Sequence, residues 1–179
     1  MKDEFTILSP YPGHALQHCF SILDSNRPGF VLNVFAPPRD PSKLKEQDRA
    51  ALALIDRRSI SLNIEASSSP HSPQAHSELR ERLDPIRGSE LFAPAEPDEP
   101  LTQLLREYAL ERASRGGLVS FYATPASKVP YFASPLNLEL ATTRLSPHQL
   151  TLKRQALAIY GQTDSISPSE AFFIRVASE

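Results

Sequence analysis

The sequence predicts a layered α/β or α+β fold, a single domain with a mixed sheet and helices packed against it. Three observations carry that prediction. Strand-like and helix-like segments alternate along the 179 residues; Ser-Pro and Asp-Pro pairs stand where helices would begin; glycines stand where two of them would end. A chain of this length is one ordinary domain with one core, and hydrophobic residues at 40% with charged residues at 22% are globular proportions.

The first helical signal is PGHALQHC, from Pro12 to Cys19. Wound at 100° per residue as one helix from His14 to Leu23, it places Leu16, Cys19, Phe20 and Leu23 on one side and His14, His18 and Ser21 on the other. The lone cysteine is therefore expected in the core and the two histidines toward solvent. An i, i+4 histidine pair can supply two metal ligands, so His14 and His18 form the candidate metal site, but a third donor and the Glu of an HExxH motif are missing. No cofactor is expected.

Next comes FVLNVF, Phe30 to Phe35, whose β-branched and aromatic content predicts a strand. Asp40 and Pro41 then open a helix reaching Arg57, with Leu44, Ala51, Leu54 and Ile55 on one face. Ile60, Leu62 and Ile64 alternate with polar residues, which predicts a strand with one solvated face, at an edge or antiparallel. A second long helix spans about 100 to 115 and stops at Gly116-Gly117; LVSFYA, Leu118 to Ala123, follows as a strand. LNLELAT alternates as another strand, and Ser146-Pro147 opens a helix with Gln149 placed for a capping box and Gly161 as its end. The last segment carries Ser167 and Glu170 at capping-box spacing, yet Phe172, Ile174 and Val176 alternate, and a strand is preferred.

Between the halves lies 66–100, a Pro/Ser/acidic-rich segment that carries six of the 17 prolines and few large apolar residues. Apart from a short helix near 73–84 it reads as an insertion or docking arm whose order is borrowed from a partner.

Composition removes several functions. Nineteen Lys and Arg against 21 Asp and Glu create no long-range field toward phosphates, so no nucleic-acid partner is expected. No apolar run approaches the ~18 residues of a membrane span, and a single cysteine fits a reducing compartment. A cytoplasmic or other intracellular location without membrane contact is therefore expected. Phosphate-cradling, dinucleotide-binding, nucleophile-elbow and paired-cysteine motifs are absent.

With no enzyme signature present, the residues favour a non-catalytic interaction or structural subunit. It would bind a protein partner or another copy of itself through the 66–100 segment, Pro94, Pro97, Asp98 and Glu99 above all. The alternative is a small metal-independent enzyme holding an anionic substrate beyond the carboxyl ends of its strands. There Asp40, Thr124 and Lys128 would be catalytic, Arg39 and Lys128 would hold the anion, and Glu65 and Ser127 would lie nearby. A metal protein built on His14 and His18 is the third reading.

Overall fold

The computed structural model describes residues 4–37, 39–65, 73–86, 90–95, 99–123, 138–162 and 166–175. Seven strands form one sheet: β1 (Phe5–Ser9), β2 (Gly29–Phe35), β3 (Ser59–Ile64), β4 (Glu90–Pro94), β5 (Val119–Ala123), β6 (Leu138–Arg144) and β7 (Ser169–Arg175). Their spatial order is β3-β2-β1-β4-β5-β7-β6. The first five run parallel, while β7 pairs antiparallel with both β5 and β6. The mixed α/β sheet is thus the fold.

Helices cover both faces. On one side α1 (His14–His18), α2 (Phe20–Leu23), α3 (Pro41–Ala53) and α6 (Pro147–Ala158) enclose Phe5, Ile7, Val31, Phe92 and Phe172. On the other, α4 (Pro73–Leu83) and α5 (Pro100–Ser114) pack Leu79, Leu83, Leu104, Leu105 and Tyr108 against Leu8, Leu32, Val34 and Phe121. A parallel sheet needs both covers, because each crossover returns the chain through a helix on one face.

The expected caps are in place. The Asp40 carboxylate accepts from Lys43 N, and Ser146 and Gln149 close a reciprocal capping box at the start of α6. Gly116, at φ +89°, follows the end of α5 in the left-handed conformation that glycine adopts at little steric cost. β3 is an edge strand and the carboxyl-terminal segment is a strand, both as expected.

Two central strands were not recognisable in the sequence. All five residues of β1 are buried, so no polar face marks it with alternation. β4 lies inside the segment expected to stand off as a docking arm, yet it pairs with β1 and β5, and Leu91, Phe92, Ala93 and Ala95 are buried. Its proline disguised it. Glu90 N bonds toward β1 and Ala95 N toward β5, so the nitrogen of Pro94 faces β1, whose pairing with β4 has already ended at Phe92. No ladder bond is lost there. Helix α4, expected near 73–84, packs Leu79 and Leu83 into the core. The docking-arm expectation is thereby corrected for 73–86 and 90–95, which are held by the fold itself, while 66–72, 87–89 and 96–98 lie outside the described residues.

The single helix expected over 14–23 is two. Cys19 breaks it at φ −128°, and the Glu170 carboxylate on β7 accepts from Phe20 N and Ser21 N at 2.8 Å each, starting α2 afresh. Lys153 of α6 completes this junction with a 2.7 Å ion pair to Glu170, both side chains 1% exposed.

Candidate active site

The chain leaves β1 toward β2 and β3 on one flank, then returns to β4 and β5 on the other. The reversal falls between β1 and β4, the position where open α/β sheets leave a crevice beyond their carboxyl ends. Into it run the loop after β1, Pro10 to Gly13, and the start of α5 after β4.

That loop is built tightly. Gly13 stands at φ +89°, and a β-carbon there would meet the Tyr160 ring at 3.2 Å. Its N–H donates to Asp48 Oδ1 at 3.3 Å; the same buried carboxylate accepts from the Tyr160 hydroxyl at 2.7 Å and from Asn33 Nδ2 at 2.8 Å. Asp48 on α3 therefore ties together the β1 loop, β2 and the end of α6. Burial and the Asp48 charge push the Tyr160 phenol far up and keep it protonated as the donor.

His14 follows directly. Its Nδ1 lies 3.2 Å from the Tyr122 hydroxyl at the end of β5, and that hydroxyl lies 2.7 Å from the Leu8 carbonyl. A carbonyl only accepts, so the single Tyr122 proton goes to Leu8 and His14 Nδ1–H donates to Tyr122. The neutral ring then keeps its lone pair on Nε2. Burial, with the His18 charge second, lowers the His14 pKa to about 3. The imidazole is a base that holds no proton of its own on Nε2 at neutral pH. Around it stand Tyr11 at 5.3 Å edge to face, His18 at 4.6 Å and Tyr122 at 5.7 Å between ring centroids. The Tyr11 phenol is raised by burial and by the Glu99 charge, which places Glu99, across the crevice on the β4 side, within electrostatic reach.

The sequence expectations divide accordingly. Cys19 is buried, as expected, and burial raises its thiol well above the usual range. His14 was expected to face solvent; it is part-buried against Tyr122 at the end of β5. His14 and His18 come together, but among the described residues no group of three His, Cys, Asp or Glu side chains is placed to hold a metal. Asp40 is exposed and spends its carboxylate on capping α3; Arg39 beside it is exposed. Thr124, Ser127 and Lys128 lie outside the described residues, as do Pro97 and Asp98. Pro94 is buried at a strand end and offers no surface to a partner, whereas Glu99 is exposed at the start of α5, where its charge acts on Tyr11. Tyr11, Asp48 and Tyr122 were missed. Tyr122 is 108 residues from His14, and nothing local to either announces the other.

No family model matches the sequence, and no curated protein does. Solved structures do match the fold. An A40926 pseudoaglycone deacetylase superposes with a TM-score of 0.75 at 14% identity over 99% of each chain. A triple mutant of a deacetylase of the teicoplanin biosynthetic pathway gives 0.70 at 15% over 99% of each. The N,N'-diacetylchitobiose deacetylase of Pyrococcus horikoshii gives 0.63 at 10%, over 92% of this chain and 72% of that one. The expected non-catalytic structural subunit is corrected by this finding, since whole-length neighbours of the fold are enzymes. Among the described residues no helix is long and apolar enough to cross a membrane. At these identities the likeness shows the architecture: a seven-stranded α/β fold of the kind these deacetylases have.

Proposed function

We propose that this chain is an enzyme that removes an acyl group from a small polar substrate by hydrolysis, in the crevice between the carboxyl ends of β1 and β4. The single observation that carries the reading is His14: a neutral imidazole at the topological switch point, its Nδ1–H fixed by Tyr122 and a lone pair left on Nε2. In this reading Nε2 takes a proton from a water, the water oxygen attacks the acyl carbon, and the bond to the leaving amine or alcohol breaks as the imidazolium returns that proton to the leaving group. The Tyr11 phenol, held protonated by burial and Glu99, is the candidate donor to the oxygen that gains charge. The deacetylase neighbours favour acyl transfer to water over other chemistries for which a histidine base would serve.

The test is release of acetate from a panel of N-acetylated and O-acetylated amino sugars and amines by the purified chain and by His14→Ala. Loss of about 10²–10⁴-fold in the variant, the ordinary contribution of a general base, supports the reading. No release by the native chain across the panel, or equal rates in the two proteins, overturns it.

A further inference from the structure

A pocket lies at the carboxyl ends of β2 and β3, bordered by Pro12 of the loop that leads into His14, with a volume of about 350 Å³. Asn33, Ser61, Asn63, Glu65 and Lys45 supply its polar groups, and Phe35 with three prolines its apolar wall. The volume sits near the lower end of the roughly 300–1,000 Å³ of small-molecule sites.

Two independent features mark this pocket. The first is Asn33, 1% exposed, whose Oδ1 has no hydrogen-bond partner among the described residues. The amide cannot simply be turned over to cure this, because Nδ2 donates to the Asp48 carboxylate at 2.8 Å and an oxygen there would face an acceptor. A buried carbonyl oxygen is thus left needing a donor, in a residue that lines a pocket. The second feature is a bulge. Between the pairs Asn33–Ser61 and Phe35–Ile64, β3 has one residue more than β2, and Asn63 takes φ +52° to absorb it. Extra residues of this kind redirect side chains, and this one stands at the pocket's rim.

The polar groups also select the ligand class. A phosphate would meet Lys45 favourably but would face Glu65 and the bare Asn33 oxygen. An ammonium would suit those two acceptors and meet Lys45 unfavourably. A hydroxyl donates to Asn33 Oδ1 or Glu65 and accepts from Lys45 or Ser61, and the opposite charges of Lys45 and Glu65 offset one another. Apolar walls suit the C–H face of a ring. We propose that this pocket is an accessory site for a neutral polyhydroxylated ring of pentose or hexose size, beside the His14 crevice on the β2–β3 flank. It does not depend on the acyl-hydrolase reading.

The test is titration of the ¹⁵N-labelled full chain with D-ribose and, separately, D-glucose. Saturable shifts at the Asn33 side-chain amide and at the backbone amides of Ser61, Asn63 and Glu65 are expected with at least one sugar. Ser61→Ala and Glu65→Ala should each weaken that binding about tenfold, the loss of one ligand hydrogen bond, with thermal midpoints retained. The wild-type titration stands even if a variant fails to fold. Absence of shifts with both sugars overturns the proposal. So do shifts produced by inorganic phosphate in place of the sugars, and so does sugar binding unchanged in two folded variants.

Discussion

His14 and Tyr122 meet at 3.2 Å, and because Tyr122 passes its one proton to the Leu8 carbonyl, the tautomer of His14 is decided by a strand two places away in the sheet. Tyr122→Phe removes both the acceptor for Nδ1–H and the donor to Leu8. The expected result is a fall of about tenfold in kcat, the rate equivalent of one hydrogen bond, with KM little changed. The ¹⁵N spectrum of the imidazole should show the Nδ1–H form losing its dominance. An unchanged spectrum would mean that Tyr122 does not set the tautomer.

The pH dependence of stability has a defined sign. The native His14 pKa is lowered to about 3 by burial and by His18, below the ~6.5 of an unfolded chain. As pH falls from about 6.5 the unfolded chain takes up a proton that the native state refuses, so His14 lowers stability progressively toward pH 3 and contributes nothing above about pH 7. Urea unfolding at pH 7, 5 and 4 should show the native protein losing more stability than His14→Gln over that interval. Activity should keep a flat acid side down to about pH 4, since the base stays unprotonated there.

Gly13 and Asp48 hold the loop after β1 from opposite directions. Gly13→Ala puts a side chain at φ +89° and against the Tyr160 ring, at a cost of roughly 1–2 kcal/mol in backbone strain. Asp48→Ala leaves Gly13 N, Asn33 Nδ2 and the Tyr160 hydroxyl without their shared acceptor. A loss of about 3 kcal/mol or more follows, at ~1–3 kcal/mol per buried unsatisfied group. Chemical denaturation measures both. Asp48→Ala should be the more damaging, and equal midpoints would remove the carboxylate from this role.

Lys153 and Glu170 are a buried pair whose carboxylate also takes Phe20 N, Ser21 N and the Ser21 hydroxyl. Lys153→Met strands that charge, and about 3–5 kcal/mol of stability should be lost. Replacing both partners by apolar residues should not restore the protein, because the two α2 amides would then have no acceptor. A fully stable double variant would contradict that account.

The elements legible in the sequence were those whose signals are local. Helices α3, α5 and α6 carry their caps or stops within a few residues of their ends, α4 starts at a proline, and edge strand β3 shows a polar face. Even there β3 departs from strict alternation, since Ile60 is 44% exposed and the bulge at Asn63 shifts the register.

The sequence by itself determined an alternating α/β chain, a buried unreactive cysteine and the position of most helices. Tertiary structure alone decided which strands are central, that His14 turns from solvent to Tyr122, and that Asp48 gathers Gly13, Asn33 and Tyr160. The physical reason is the same in each case. A strand buried on both faces has no periodic pattern to display, and a site at a topological switch point is assembled from loops that the sheet, not the order of residues, brings together.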